Sequence, residues 1–367
     1  MKLIKLTVAG LFGRSEVSTY AFDSSLNILT GRNGAGKTTV MKLAWLIMSG
    51  NILLALREIK FRSCSIVTDE YECTVHQINS NHCKIELSMN GSDYLLEDDD
   101  QEDDNPFGES AEGKAANFLI PCGGSLFFPT FRRIEGGFSM GVNANSRARG
   151  GLRSELDVDN SLAAISKKLS HEQHVFVSAI SSQDIVSLLL KNYAALSEEA
   201  NTFQTNVTSR VIERIRQFES THSVLHDANA LLSETRAEIE KIEKFREQTL
   251  APLTAVRTLA ETLFQHAGIS FGTRLSFGDA AAAINSDALS AGEKQMLSFI
   301  CYNAFYKNSI VFIDEPELSL HVDWQRRLYS ILDSQNSGNQ FIFATHSPFI
   351  YGRFPDKEVV IGADRGE

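Results

Sequence analysis

A mixed α/β fold with a β-rich subdomain and an inserted helical subdomain is what this 367-residue chain predicts. Three observations lead there. Near the start, the apolar run Leu26-Asn27-Ile28-Leu29-Thr30 passes straight into a glycine-rich loop and then into helical spacing at Val40, Leu43, Ala44 and Ile47. Near the end, two more apolar runs, Ile310 to Ile313 and Phe341 to Ala344, stop at an acidic pair and shortly before a histidine. Between them, residues from about 158 to 267 hold almost no Gly or Pro except Pro252, and read as helix.

The elements follow in order. Lys2 to Ala9 and Ser18 to Phe22 have strand composition, and Leu26 to Thr30 makes a third, fully buried in style. Thr38 to Ser49 is helical and stops at Gly50. Residues 58–97 alternate in the β manner (Ser65-Ile66-Val67, Glu72-Cys73-Thr74-Val75, Lys84-Ile85-Glu86-Leu87), with Asn90-Gly91 as a hairpin turn. Leu126 to Phe131 reads as a core strand, and residues 138–154, rich in Gly, Asn, Ser and Arg, mark a boundary. In the helical stretch, Leu232, Ile239, Ile242 and Phe245 are too few for more than a short coiled coil. A helix from Gly292 to Tyr306, the strand at 310, another helix and the strand at 341 complete the chain. The expected division is a first lobe over 1–150, a helical insertion over 151–269 and a second lobe over 270–367. No internal repeat is evident.

Composition narrows the class. An apolar fraction of 43% supports a sizeable core, and 22% charged is ordinary for a water-exposed protein. No run reaches the length of a membrane helix, and Met1-Lys2-Leu3-Ile4-Lys5 leads into strand sequence without a signal peptide, so a cytoplasmic location is expected. The five cysteines lack zinc-ligand spacing and are expected to be reduced and mostly buried. The net charge is −11, but seven of the acids lie in Glu97 to Asp104, which leaves room for a basic groove elsewhere. That acidic run reads as a surface loop rather than a DNA mimic or a dock for a basic partner. Arg132, Arg133, Arg147, Arg149 and Arg153 could line such a groove, although scattered solvated arginines are the simpler reading.

The chemistry lies in four short segments. Gly31-Arg32-Asn33-Gly34-Ala35-Gly36-Lys37-Thr38 is a complete G-x-x-x-x-G-K-[ST] phosphate loop. Its backbone from Asn33 through Gly34, Ala35 and Gly36 can turn N–H groups toward phosphate oxygens. Lys37 is expected at the β- and γ-phosphates, Thr38 on Mg²⁺ and Thr39 near the α-phosphate. Ile310 to Ile313 followed by Asp314-Glu315 suits a Walker B strand, with Asp314 orienting the metal and Glu315 accepting a proton from the attacking water. His346, just past the strand at 341, is expected to contact the γ-phosphate and position that water. In Leu289-Ser290-Ala291-Gly292-Glu293, Ser290 and Glu293 have the spacing of a capping box, and the Ser290 hydroxyl with the Gly292 N–H also suits an anion; both readings hold together.

This ordered set resembles the heads of ABC-class ATPases (P-loop NTPases), and looks like the SMC, RecF and OLD branch rather than the transporter branch. Glu293 stands where transporters often carry Gln, and Glu315-Pro316-Glu317-Leu318-Ser319-Leu320-His321 is similar to the E-P-E-x-x-L-H run of OLD-like and bacterial-defence ATPases. The resemblance covers about 1–135 and 270–367. It implies ATP and Mg²⁺ held between two heads in a head-to-head homodimer, or a higher oligomer of such heads. Ser290 and Gly292 would cap the γ-phosphate of the other subunit, and Ser319 and its neighbours would form the D-loop at the interface. Phe128 to Glu135 would lie near the Q-loop, without a Gln to assign there. The insert is far too short for SMC arms, and the chain ends soon after His346, where OLD enzymes continue into a nuclease. The resemblance therefore implies an ATPase that senses or regulates within an anti-phage defence system (Septu-like or PARIS-like) and controls a separate nuclease or toxin. The alternative is a RecF- or SMC-like DNA-maintenance ATPase that binds DNA. A transporter subunit is disfavoured by the E-P-E run, and no membrane partner is expected.

Overall fold

In the computed structural model, Leu26–Thr30 (β3) is buried at every position, the pattern of a strand covered on both faces. The structure describes residues 1–99, 109–130, 133–134, 162, 164–180, 182–220, 225–263 and 289–362. They fall into two units: Met1–Ser181 with Ser290–Phe299 and Tyr306–Glu367, and Ser182–Leu289 with Ile300–Phe305.

In the first unit, β3 lies in a six-stranded sheet with Ser125–Phe128 (β8), His174–Phe176 (β10), Ile310–Asp314 (β12), Gln340–Ala344 (β13) and Glu358–Val360 (β14). The spatial order is β10-β8-β12-β13-β3-β14, and every neighbouring pair is parallel. Strands from early and late parts of the chain thus interleave within one layer. A parallel sheet of this kind gathers functional groups at the carboxyl ends of its strands.

The second sheet is antiparallel, in the order β2-β1-β4-β5-β6-β7. It comprises Leu3–Ala9 (β1), Val17–Ala21 (β2), Ser63–Thr68 (β4), Tyr71–Gln77 (β5), Cys83–Met89 (β6) and Ser92–Leu96 (β7). Asn90 and Gly91 turn β6 into β7 with φ of 53° and 76°, the doubly left-handed turn that matches strand twist. Lys37–Met48 (α1) is buried on nearly every side and shares one apolar cluster with both sheets. Trp45, fully buried, meets Phe127 and Phe176 at centroid distances of 5.7 and 5.4 Å. Gln340 staples the sheets together: its Oε1 accepts from the Leu3 N–H at 2.7 Å, while its Nε2 donates to the carbonyls of Leu3 and Asp23. Ile52–Glu58 (α2) and Ala111–Leu119 (α3) complete the first half, the latter capped by Ser110 accepting from the Gly113 N–H.

The stretch read as helical from about 158 contains two short strands instead. β10 pairs with β8, and Ala179–Ile180 (β11) pairs with Arg133–Ile134 (β9). His174-Val175-Phe176-Val177 combines β-branched and aromatic residues, and an open sheet edge outweighed the local lack of helix breakers.

In the second unit, Ser182–Ser220 (α4) and Leu225–Leu263 (α5) are helices of 39 residues each, about 58 Å long at 1.5 Å per residue. Phe203 stacks on Phe245 at 4.0 Å, and Arg214 pairs with Glu234 at 3.3 Å. Leu232 and Ile239, expected on the apolar stripe, are 67% and 51% exposed, so they lie off the seam that Phe245 occupies. The final segment carries Ala291–Phe305 (α6), Val322–Asp333 (α7) and the short Pro348–Tyr351 (α8). Among the described residues, no helix is long and apolar enough to cross a membrane. The cysteines are free, and all but the half-buried Cys122 are buried; burial pushes the Cys73 thiol up to about 12.

Candidate active site

The loop from β3 to α1 takes the shape its glycines allow. Gly31 has φ 144°, and a Cβ there would lie 2.4 Å from the Ile361 carbonyl oxygen, so no other residue fits. Gly36, at φ 100°, is the N-cap of α1 and offers no side-chain cap. The first N–H groups of α1 are therefore left for an external acceptor, at the positive end of the helix. Asn33 and Gly34 are exposed, Ala35, Gly36 and Thr39 are half-buried, and Lys37 opens the helix with its side chain folded back over the loop. Its Nζ donates toward the carbonyls of Gly31 (3.3 Å) and Arg32 (3.4 Å) and lies 2.7 Å from His346 Nε2.

At the end of β12, Asp314 is fully buried. Its Oδ1 accepts from the Thr38 hydroxyl at 3.0 Å, and its Oδ2 accepts from the Thr130 hydroxyl, which follows β8. Glu315, next along the chain, takes φ 49°, and its N–H donates to the Ala344 carbonyl at 2.8 Å. That left-handed turn brings Glu315 Oε1 to 3.7 Å from His346 Nε2. Lys37, Thr38, Thr130, Asp314, Glu315 and His346 thus converge from the ends of β3, β8, β12 and β13.

The electrostatics is unbalanced toward negative charge. Burial, then the nearby Glu317 and Asp314 carboxyls, push Glu315 up to about 8, against the pull of Lys37. Burial lowers Lys37, with Glu315, Asp314 and Glu317 opposing the shift. Burial and then Lys37 lower His346, consistent with a neutral imidazole accepting from the ammonium. The Thr38 hydroxyl and the Asp314 and Glu315 carboxyls, gathered beside one lysine, form a hard oxygen donor set that suits Mg²⁺.

Ser290, Gly292 and Glu293 gather at the start of α6. The Ser290 N–H donates to Glu293 Oε2 at 2.6 Å, and the Glu293 N–H to Ser290 Oγ at 3.4 Å, which is the reciprocal capping box. Ser290 is exposed, and Glu293 is buried. Gly292 has no room for a side chain, because a Cβ would stand 2.2 Å from the Ser319 carbonyl oxygen. Buried Gln295 donates to the Pro316 carbonyl at 3.0 Å, so the start of α6 rests on the turn that follows β12.

Two residues of the cluster were missed from sequence. Thr130 lay within the Phe128 to Glu135 run placed near the Q-loop, but the strand expected through Phe131 ends at Phe128, and the contact of Thr130 with Asp314 had no signal of its own. Glu317 was visible within the E-P-E run, yet its role was not: its Oε1 accepts from the Thr345 hydroxyl and from the N–H groups of His346 and Ser347. His321, the last residue of the run, caps α7 by accepting from the Asp323 N–H. Ser319, exposed, takes φ 66°. Of the acidic run, Glu97 pairs with Lys84 at 2.8 Å and Asp99 pairs with Lys114; residues 100–104 lie outside the described residues. Arg132, Arg147, Arg149 and Arg153 lie outside them too, as does the side chain of Arg133.

No curated protein matches the chain. Among solved structures, it is similar to an Smc head domain with an extended coiled coil bound to the C-terminal domain of ScpA, from Pyrococcus furiosus. That match has 13% identity over 96% of this chain and 91% of the other, with a TM-score of 0.40. A second similar structure is an Smc head bound to the C-winged helix domain of ScpA, at 11% identity over 96% and 92%, with a TM-score of 0.45. A family model matches residues 26–351, from β3 through the glycine loop and Asp314 to the end of α8. The chain therefore belongs to the AAA-domain family described as "AAA domain, putative AbiEii toxin, Type IV TA system".

Proposed function

We propose that this chain binds and hydrolyses ATP as an ABC-type ATPase, that two heads meet head to head, and that the pair regulates a separate effector in an anti-phage defence complex. The observation that carries the reading is the convergence on Lys37. One cation, one imidazole, one raised carboxyl and a hydroxyl–carboxylate pair meet beside an uncapped helix N-terminus, which is the equipment phosphoryl transfer needs. The Lys37–His346 contact would be replaced by a triphosphate oxygen that accepts from the Lys37 ammonium. Thr38 and Asp314 would hold Mg²⁺, which supplies charge neutralisation on the β- and γ-phosphates. Glu315 would take the proton of the attacking water, and His346 would orient that water.

The exposed Ser290 at the start of α6 supports the paired arrangement, since a hydroxyl at the positive end of a helix suits a phosphate from outside. Hydrolysis would then loosen the pair, a change of assembly driven by ligand state. For the effector, the family's description as a toxin of a two-part system is in keeping with an ATPase that governs a toxic or nucleolytic activity. The ATPase reading is tested with Lys37→Ala and Glu315→Gln. Lys37→Ala should bind ATP at least about 100-fold more weakly, whereas Glu315→Gln should bind normally and accumulate as an ATP-bound dimer with turnover reduced about 100-fold or more. Unchanged affinity in the first, or full turnover in the second, contradicts it.

A further inference from the structure

Glu317 is the one acid of the cluster with no part in the chemistry above, and one of its oxygens is densely bonded. A single oxygen, Oε1, receives the Thr345 hydroxyl at 2.7 Å, the His346 N–H at 2.9 Å and the Ser347 N–H at 3.0 Å. Three consecutive residues after β13 are thereby fixed to one atom on the turn after β12. The loop is pinned a second time by Gln325 of α7, whose Oε1 accepts from the Ser347 hydroxyl at 2.6 Å and whose Nε2 donates to the Leu320 carbonyl at 2.8 Å. The turn itself is held by the Glu315 N–H on Ala344, by Gln295 on the Pro316 carbonyl, and by Gly292 pressed against Ser319.

A carboxylate is a costly way to fill this position. It adds negative charge beside Asp314 and Glu315, and helps to push Glu315 up. An apolar side chain would avoid that cost but would leave two backbone N–H groups and a hydroxyl without their acceptor. What the side chain provides is an acceptor oxygen at the reach that sets the height of His346 over Lys37. We propose that Glu317 is a positioning residue for hydrolysis. Its carboxylate locks the His346 loop in register with the Glu315 turn, and so governs the rate of phosphate cleavage rather than the affinity for nucleotide. This rests on the ATPase reading given above.

Two conservative variants of the full chain separate reach from charge. Glu317→Asp keeps the charge and withdraws the oxygen by one methylene; Glu317→Gln keeps the reach and an acceptor oxygen and loses the charge. Steady-state kcat and KM for Mg-ATP, equilibrium binding of a fluorescent ATP analogue and the thermal midpoint are measured for each, with Glu317→Ala alongside. The expected result is a kcat lowered about 10- to 100-fold in Glu317→Asp and Glu317→Ala, nucleotide affinity within about threefold of the parent, and Glu317→Gln rescued to within about threefold in kcat. If Glu317→Ala does not fold, the Asp and Gln pair decides alone. A Glu317→Asp enzyme as fast as the parent, or a Gln variant as slow as Asp, overturns the proposal. So does a parallel loss of affinity and rate. A parent chain that neither binds nor hydrolyses ATP would fail before any variant is compared, and would refute the ATPase reading itself.

Discussion

Thr130 shows how much of this site depends on single polar atoms. Its hydroxyl satisfies Asp314 Oδ2 while the Thr38 hydroxyl satisfies Oδ1, so the buried carboxylate is aimed from two sides. Removing one such partner typically weakens a metal site by a factor of ten or more. On the proposed reading, Thr130→Val is expected to weaken Mg-dependent ATP binding about 10-fold while leaving binding of metal-free ATP within about twofold. Titrations with Mg²⁺ and with EDTA decide this, and equal effects in both would contradict the assignment. Lys37, Thr38, Asp314, Glu315 and His346 were legible in the sequence because each follows an apolar run at a spacing that chemistry constrains. Thr130 and Glu317 were not, because their significance lies in which strand end stands beside which. No local pattern announces that the residue two past β8 faces the end of β12.

At the scale of elements, β10 shows where local patterning fails. The stretch from 158 lacks helix breakers, yet β10 found the edge of the parallel sheet beside β8, with His174 fully buried and its Nδ1 2.7 Å from the Ser125 hydroxyl. Burial lowers His174 from an ordinary 6.5 to about 4. The sign is then fixed. Above pH 6.5 the ring is neutral in both states and its contribution is complete; as pH falls from 6.5 through 4, the unfolded chain takes up a proton that the folded chain refuses. A shift of this size corresponds to about 3 kcal/mol of stability lost across that window. Urea unfolding at pH 7 and pH 4.5 should show the drop, and His174→Gln should flatten it relative to the parent. A variant whose pH profile runs parallel to the parent's would contradict this. The glycine loop, its helix and the strands ending at Asp314 and before His346 were read correctly from buried runs and their terminating residues. The order of those strands was beyond the sequence, since pairing in a parallel sheet is chosen by crossover geometry rather than by local composition.

At the scale of the whole molecule, the parallel sheet is an assembly of two distant stretches, with β3, β8 and β10 from the first and β12, β13 and β14 from the last. The reactive cluster forms only when both are in place. Ser290, Gly292 and Glu293 remain a second, separate group at the exposed start of α6, resting on the turn that carries Glu317 and Ser319. On the proposed reading, that group completes the pocket of a neighbouring subunit, so each active site takes its halves from two chains. The direct measurement is complementation between two inactive variants. Lys37→Ala and Ser290→Arg chains, each without turnover alone, are mixed in equal amounts and assayed for ATP hydrolysis. Random pairing gives half mixed dimers, each with one intact composite pocket, so hydrolysis should return to about a quarter of the parent rate. If the mixture stays as inactive as its components while the two chains demonstrably pair, each subunit does not depend on its neighbour's serine, and the shared-site account is wrong.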